Sequence, residues 1–435
     1  MENYVAIILI AFGLIIVLLA SGIWVPISVG LAGAVLVYFW VGRGIAPIGM
    51  IQFNIVNIFT FTPMPMFIFM GTLLLHTGIS DRLYNGATSL VGFLPGALLH
   101  SNVVADAMFG AFSGSPIAGT AAIGKVAIPE VEKRGYNPRL IYGSVVAGAA
   151  LVPLIPPSTI MIIYGVFVEQ SIAKLFMAGL VPGLVLLAVF MLYIGAHALI
   201  RPSVAPERMK FSLKVMASGM LSLWPVFILI LIVLGSLYLG FATPTESAAM
   251  GAVTALILAA FFRRLTWYAV KDAAVDAATI TSWVMLIMIG AQIVSFGLAM
   301  LRVPMELSAW VVSLDMSPLV VVTLIVLTCI VLGMFIDGIS VMLLTLPVSY
   351  PLMMSLGFDP IWFGVMVVVF IETAGMTPPV GMRLFIVYGI SGRKNLSDVI
   401  IGSIPFFICI LIMLVILAAF PILATWLPGT MIQPW

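Results

Sequence analysis

Residues 135–165 read GYNPRLIYGSVVAGAALVPLIPPSTIMIIYG, and residues 357–389 read GFDPIWFGVMVVVFIETAGMTPPVGMRLFIVYG. At an offset of 222 residues, the first glycine, the first proline and the Pro-Pro pair of one copy match those of the other. Each stretch is an apolar run of membrane-spanning length. Because proline lacks a backbone N–H and clashes with the preceding turn, a helix must stop and restart there. We therefore predict two broken membrane helices, interrupted at 156–157 and 378–379.

The composition is that of a polytopic membrane protein. The chain has 435 residues, of which 63% are apolar and only 8% are charged, and its mean hydropathy is +1.27. Soluble domains have about 25% charged residues. The apolar runs are continuous rather than alternating, which favours helices over strands. A net charge of +2 gives no sign of nucleic-acid binding, so we predict an all-α polytopic membrane protein.

Apolar runs of about 17–25 residues are long enough to span a bilayer. Those of the first half recur about 222 residues later. The predicted spans are 4–20, 23–41, 52–77, 137–168, 175–200, 222–240, 243–262, 274–299, 359–391 and 399–427. We therefore predict a first repeat at 1–200, a connector at 201–221 and a second repeat at 222–435. The stretches 78–92 and Trp267–Asp276 are predicted to lie along the membrane interface.

Two further apolar stretches, about 94–133 and about 317–356, each have two arms around a polar tip. The tips are Ser113-Gly114-Ser115-Pro116 and Asp337-Gly338-Ile339-Ser340. Each stretch is either two full crossings or one re-entrant hairpin, and both forms add an even number of crossings. Each half has five further crossings, so the number of crossings in each half is odd. The second half must then be inverted relative to the first.

The distribution of Lys and Arg between the loops on the two sides indicates how the chain is oriented in the membrane, because cytoplasmic loops are enriched in these residues. With the N-terminus outside, 14 of the 18 Lys and Arg residues fall in inside loops, three fall in outside loops, and Arg383 lies within a span. Both termini are therefore predicted to be extracytoplasmic.

The tips and breaks offer ligand groups at mid-membrane. Serine hydroxyls, a carboxylate and the carbonyls of unwound segments are the groups that bind Na⁺ in membrane transporters with broken helices. Free carbonyls are predicted at 152–156 and 373–377. The helices that restart near Ser158 and Val380 have N-termini suited to an anion. The competing interpretation is that the small residues only allow close helix packing.

Ionisable residues inside membrane spans are costly and are therefore candidate functional residues. We single out four that lie near the tips and breaks or in a hairpin arm: Asp106, Asp337, Glu372 and Arg383. Arg383 is predicted either to bind a substrate carboxylate as a bidentate fork or to form an internal salt bridge with Glu372 or Asp337. An intramembrane enzyme using the three acids remains an alternative, but we predict a non-enzyme.

Five stretches spread over the chain match motifs of a known family: FGAFSGSPIAGTAAIG (109–124), IPPSTIMIIYG (155–165), LFMAGLVPGL (175–184), FATPTESAA (241–249) and MTPPVGMRLF (376–385). Through these motifs the chain resembles the large membrane subunit of tripartite ATP-independent periplasmic (TRAP) transporters. The resemblance implies a Na⁺-coupled importer of small organic anions with an elevator-type fold and two re-entrant hairpins. It also implies a bacterial inner membrane location, a small membrane subunit and a periplasmic substrate-binding protein. A stand-alone Na⁺/dicarboxylate or arsenite-type carrier is the alternative.

The resemblance also implies site residues, for two or more Na⁺ ions and for the substrate. The implied Na⁺ residues are Ser113, Gly114, Ser115, Pro156 and Ser158 for one site, and Asp337, Gly338, Gly375, Thr377 and Pro378 for the other. The expected substrate contacts are Ser115, Pro116, Pro157, Ser158, Ser340, Pro379, Val380 and Arg383. Arg383 stands where a neutral residue such as Asn is expected, which indicates a different ligand.

Overall fold

The computed structural model describes residues 2–42, 44–206, 210–392 and 395–432. Within these ranges the regular elements are helical and no strand occurs, which confirms the all-α class. The helices of the first half are α1 (Glu2–Ala20), α2 (Val25–Leu36), α3 (Ala46–Val56), α4 (Pro63–His76), α5 (Ile79–Val91), α6 (Leu98–Ser113), α7 (Pro116–Lys133), α8 (Pro138–Gly148), α9 (Thr159–Phe167) and α10 (Ile172–Ile200). The later helices are α11 (Leu213–Ser222), α12 (Trp224–Ile230), α13 (Ser236–Tyr238), α14 (Pro244–Phe261), α15 (Trp267–Met300), α16 (Val303–Ser313), α17 (Pro318–Gly333), α18 (Gly338–Ser355), α19 (Pro360–Ala374), α20 (Met382–Ile390), α21 (Leu396–Ala419) and α22 (Ile422–Gly429).

Several of these helices are long and apolar enough to cross a membrane. In the described ranges there are 6, or up to 7 if the bent pair Leu213–Ser222 and Trp224–Tyr238 forms one span. The six are Phe59–His76, Ile172–Ile200, Pro244–Phe261, Trp267–Met300, Gly338–Ser355 and Leu396–Ala419. This agrees with a multi-pass membrane protein. The predicted orientation stays a prediction, and four basic residues that entered it, Arg43, Arg208, Arg393 and Lys394, lie outside the described residues.

The predicted span 52–77 is wrong as one helix, and its counterpart is longer than predicted. Helix α3 ends at Val56 and α4 begins at Pro63, because a proline is favoured at the start of a helix. In contrast, α15 has no proline and runs unbroken for 34 residues. The segment Trp267–Asp276 is therefore the start of α15 and not a separate interfacial stretch. The short helix that follows α15 is α16.

Two other predicted boundaries also move. The predicted run 399–427 is divided, because α21 ends at Ala419 and α22 begins at Ile422 after a proline at 421. The predicted connector 201–221 is helical from Leu213 onward, where α11 begins. The non-helical link between the halves is therefore shorter than predicted.

Both predicted interruptions at the Pro-Pro pairs are present. Helix α8 continues as a short 3₁₀ turn to Leu151, and the chain becomes helical again at Thr159. Helix α19 ends at Ala374 and α20 begins at Met382. The bonds Pro156–Pro157 and Pro378–Pro379 are both cis. Each broken span thus consists of two shorter helices separated by a non-helical segment.

Both apolar stretches with polar tips form helical hairpins. In the first, α6 and α7 meet at Gly114 and Ser115, and in the second, α17 and α18 meet at 334–337. Ser115 and Asp337 cap the returning helices: Ala118 N–H donates to Ser115 Oγ at 3.4 Å and Ser340 N–H donates to Asp337 Oδ2 at 3.1 Å. Helices α7 and α18 begin 222 residues apart. The re-entrant form of the hairpins and the inversion of the halves stay predictions.

The hairpins and broken helices pack into a dense body. Helices α8 and α21 cross at Gly143 and Gly402, where the backbones are in contact. A Cβ atom on Gly143 would overlap the Gly402 carbonyl oxygen, and one on Gly402 would overlap the Arg139 carbonyl oxygen. Small residues permit this close approach of backbones in membrane helices. The crossing fixes a broken helix of the first half against a helix of the second.

Candidate functional site

A cleft opens where the two hairpin tips approach both broken helices. It encloses about 980 Å³, a volume that includes its open mouth. The lining residues are Ile68, Thr72, Ser113, Gly114, Ser115, Pro116, Ile117, Ala118, Thr159, Ile160, Ile280, Trp283, Asp337, Gly338, Ile339, Ile371, Glu372, Gly375, Met382 and Arg383. The cleft is therefore built by elements from both halves of the chain.

The cleft brings together half of the residues that the sequence singled out for Na⁺ and substrate. Those in its lining are Ser113, Gly114, Ser115, Pro116, Asp337, Gly338, Gly375 and Arg383. Those outside its lining are Pro156, Pro157, Ser158, Ser340, Thr377, Pro378, Pro379 and Val380. The first group comes mainly from the tips and the second mainly from the breaks. The binding roles of both groups stay predictions.

The first tip packs directly on the first break. Gly114 has a left-handed φ of +60°, and a Cβ atom there would lie 2.7 Å from the Pro157 carbonyl oxygen. Only glycine fits this approach. Pro156, Pro157 and Ser158 are consequently buried beneath the tip. The Ser158 hydroxyl accepts a hydrogen bond from Met161 N–H at 3.3 Å and caps α9.

The second tip also contacts its break, but the geometry differs. Val380 N–H donates to the Met334 carbonyl oxygen at 3.2 Å. Ser340 is buried behind the tip, and its hydroxyl donates to the Asp337 carboxylate. Pro378, Pro379 and Val380 are exposed, whereas the corresponding residues of the first break are buried. The two halves therefore present their breaks differently despite their common sequence offset.

The predicted free carbonyls at 373–377 are occupied only in part: those of Thr373, Ala374 and Gly375 accept hydrogen bonds, whereas those of Met376 and Thr377 accept none from the described residues. The Thr373 oxygen accepts from Met376 N–H at 3.1 Å and from the Thr377 hydroxyl at 2.6 Å. The oxygens of Ala374 and Gly375 accept from Thr377 N–H at 3.3 Å and Arg383 N–H at 3.2 Å. A carbonyl oxygen has two lone pairs. Thr373 thus has none left for a cation, and Ala374 and Gly375 each retain one.

Arg383 forms an internal ion pair with Glu372 in the wall of the cleft. Arg383 Nη1 lies 2.9 Å from Glu372 Oε2, and the two side chains are 3% and 4% exposed. Arg383 Nη2 also donates to the Glu372 backbone carbonyl. A Cβ atom on Gly375 would lie 2.5 Å from Arg383 Nε, so this glycine makes room for the guanidinium. The internal salt bridge with Glu372 is thus present, and contact between Arg383 and a substrate stays a prediction.

Sequence reasoning missed the outer wall of the cleft. This wall comes from Ile68 and Thr72 of α4 and from Ile280 and Trp283 of α15. The Thr72 hydroxyl donates to the Ile68 carbonyl oxygen at 2.8 Å, which satisfies it within its own helix. These residues are ordinary for apolar helices. The available signal was weak: a threonine in one apolar span and a tryptophan in another.

Asp106, the remaining candidate acid, lies behind the first tip and does not line the cleft. It belongs to α6 and is completely buried. It is therefore not positioned to touch a substrate in the cleft.

Comparisons with known proteins agree on one family. The family model described as "Tripartite ATP-independent periplasmic transporter, DctM component" matches residues 12–423. The C4-dicarboxylate TRAP transporter large permease protein DctM of Pseudomonas aeruginosa is 31% identical over 403 residues, which cover 92% of this chain and 94% of that protein. The sialic acid TRAP transporter permease protein SiaT of Haemophilus influenzae is 31% identical over 431 residues, which cover 96% of this chain and 68% of the relative.

A solved structure also has a similar fold. The crystal structure of the YdaH transporter of Alcanivorax borkumensis matches with a TM-score of 0.56 at 16% sequence identity. The match covers 86% of this chain and 88% of that one. At this identity the likeness concerns the fold alone.

Proposed function

We propose a function from the following premise: this chain belongs to the family of the DctM component of tripartite ATP-independent periplasmic transporters. The multi-pass permease role follows from this membership together with the apolar helices. Beyond it, we propose that the chain is a Na⁺-coupled importer of small organic anions. The substrate and Na⁺ would cross the membrane together by an elevator mechanism.

The convergence of four helix N-termini on the cleft carries the proposal of an anionic substrate. Helix α7 begins at Pro116, α9 at Thr159, α18 at Gly338 and α20 at Met382, and all four residues line the cleft. A helix N-terminus has unpaired N–H groups and a partial positive charge, so it favours an anion. The two relatives above are named for C4-dicarboxylate and sialic acid. We assign a substrate of this kind, a carboxylate or sugar acid.

Na⁺ coupling is supported by the oxygen groups at the tips. The hydroxyls of Ser113 and Ser115 and the carboxylate of Asp337 line the same cleft. Hydroxyl, carboxylate and unwound backbone oxygens are typical Na⁺ ligands in transporters with broken helices. We place one ion at the first tip and its break and another at the second tip and its break. A dissipating Na⁺ gradient supplies the free energy of uptake.

The elevator proposal assigns different roles to the two walls of the cleft. We assign to one body the hairpins, the broken helices and α21, whose backbone contacts that of α8 at Gly143 and Gly402. Helices α4 and α15 supply the outer wall. We propose that the dense body moves and that the helices outside it form a fixed scaffold. The proposed location is a bacterial inner membrane with both termini in the periplasm, in complex with a small membrane subunit and a periplasmic substrate-binding protein.

The experiment is uptake into proteoliposomes. The chain is reconstituted alone, with a small membrane subunit encoded beside it, and with that subunit plus a neighbouring secreted binding protein. Radioactive succinate and sialic acid serve as probes. Accumulation that requires an inward Na⁺ gradient and all three proteins supports the proposal. Uptake by the chain alone supports a stand-alone carrier, and uptake that ignores the Na⁺ gradient contradicts the coupling.

A further inference from the structure

Three buried oxygen atoms on one face of α6 have no hydrogen-bond partner among the described residues. They are both carboxylate oxygens of Asp106 and Oδ1 of Asn102. The two side chains are four positions apart, so they are neighbours on the helix surface. Both residues are 0% exposed. Unpaired buried oxygens are costly, and these two side chains hold three of the eight buried side-chain atoms that have no hydrogen-bond partner among the described residues.

The orientation of Asn102 is fixed by its neighbours. The Ser144 hydroxyl donates to the Ile141 carbonyl oxygen at 2.9 Å, so it accepts from Asn102 Nδ2 at 2.8 Å. The amide nitrogen is therefore turned to Ser144, and the amide oxygen is the atom left without a donor.

Glycines make the space around Asp106. A Cβ atom on Gly119 of α7 would lie 3.1 Å from Asp106 Oδ1, and one on Gly148 of α8 would lie 2.5 Å from Oδ2. The carboxylate thus sits between two helix backbones with no side chain in between. Ala118 lines the cleft and Gly119, the next residue, faces Asp106. A single helix, α7, therefore separates this cluster from the cleft.

The buried charges do not balance. Asp106, Glu372 and Arg383 are all buried, and Arg383 is paired with Glu372, whereas the Asp106 carboxylate has no hydrogen-bond partner among the described residues. With both acids ionised, one positive charge stands against two negative charges, which leaves a net charge of −1. An unpaired buried charge is strongly unfavourable. A water molecule supplies hydrogen-bond donors but leaves this charge unchanged. A cation both coordinates the unpaired oxygens and neutralises the excess negative charge.

We propose that Asp106, together with Asn102 Oδ1, binds a monovalent hard cation of the Na⁺ class at a site separate from the hairpin tips. Such a cation accepts several oxygen ligands at once and neutralises the excess charge. A proton neutralises the charge but occupies only one of the three oxygens. The site deepens the proposed Na⁺ coupling and rests on it. It adds a third coupled ion that is held inside the proposed moving body.

The test is Na⁺-dependent thermal stabilisation of the purified full chain in detergent, with choline keeping the ionic strength constant. A ligand that binds only the folded state raises Tm by mass action. Four proteins are compared: wild type, the tip variant Ser115→Ala/Asp337→Asn, the tip variant with Asp106→Asn added, and the tip variant with the exposed Asp315→Asn added. The last is a matched control, because it makes the same chemical change at the surface.

We expect the tip variant to keep part of the Na⁺-dependent rise in Tm, Asp106→Asn to abolish that remainder, and Asp315→Asn to leave it unchanged. A tip variant with no Na⁺ response overturns the inference and leaves the proposed tip sites intact. A full Na⁺ response in the tip variant that Asp106→Asn removes supports this site and contradicts the proposed tip sites. A response that Asp106→Asn leaves unchanged overturns the inference.

A second measurement does not depend on the folding of an Asp106 variant. Equilibrium binding of radioactive Na⁺ to the tip variant, in which Asp106 is intact, should show about one remaining ion per chain. No bound Na⁺, or stabilisation by acid in place of Na⁺, shows that a proton or nothing occupies the site and overturns the inference.

Discussion

Gly114 lies against Pro157 so closely that a Cβ atom on Gly114 would stand 2.7 Å from the Pro157 carbonyl oxygen. This contact joins the tip of the first hairpin to the break of the first broken helix. The position of the cleft therefore depends on one residue that has no side chain.

Gly114→Ala should loosen this contact and inactivate transport. The left-handed backbone costs an L-residue roughly 1–2 kcal/mol, and the overlap with Pro157 adds to that. Gly135→Ala is the matched control, because Gly135 also has a positive φ but has nothing within 4 Å of its Cβ position. Thermal unfolding in detergent and uptake in proteoliposomes check the difference. Equal losses in the two variants would show that the tip contact is unimportant.

Ser115→Ala and Asp337→Ala should each abolish Na⁺-dependent uptake while the chain stays folded. Both side chains line the cleft, and each substitution removes one proposed Na⁺ ligand. Each also removes an N-terminal helix cap, which costs about 1 kcal/mol. Asp359→Ala is the control, since Asp359 caps α19 through Trp362 N–H but is not in the cleft lining. Unchanged Na⁺-dependent uptake in both tip variants refutes the assignment of these sites.

Arg383→Gln should destabilise the chain, because it leaves the buried Glu372 carboxylate without its partner. Breaking a buried ion pair costs roughly 3–5 kcal/mol. The double variant Arg383→Gln/Glu372→Gln should recover most of this loss, since neither charge remains. Detergent melting curves of the wild type and the two variants give the comparison. A well-folded Arg383→Gln with a raised apparent substrate constant would instead make Arg383 a substrate-binding residue.

Gly143→Ala and Gly402→Ala should each force α8 away from α21. A methyl group at either position overlaps a backbone carbonyl of the facing segment. Gly389→Ala in α20 is the control, because its Cβ position has nothing within 4 Å, and there alanine should stabilise the helix by about 0.5–1 kcal/mol. A lower melting temperature is expected for the two crossing variants only. Tolerance of both substitutions would show that the helices can separate freely.

The sequence was sufficient to predict the breaks and tips, because proline and glycine act locally. Pro156–Pro157 and Pro378–Pro379 forbid a continuous helix whatever surrounds them. Pro116 and Gly338 begin their helices for equally local reasons. Of these four places, the two tips line the cleft, whereas the four prolines of the breaks lie outside its lining.

The rest depends on neighbours that spacing does not reveal. The ion pair between Glu372 and Arg383 forms because the second break folds back on itself. The same fold supplies a hydrogen-bond donor to the Thr373 carbonyl oxygen. Trp283 enters the cleft only because α15 packs beside the tips. The sequence could have predicted that 52–77 is divided and 274–299 is not, because Pro63 has no counterpart in α15. The common offset of 222 residues instead led to the prediction of one helix in both.

Helix α15, with 34 residues and no break, is about 51 Å long at 1.5 Å per residue. The hydrocarbon core of a bilayer is about 30 Å thick. The helix must therefore lean steeply or extend beyond the acyl chains, and the angle it takes follows the thickness of the lipid. Since Trp283 lies on this helix and borders the cleft, we expect the acyl-chain length of the surrounding membrane to influence the shape of that cleft.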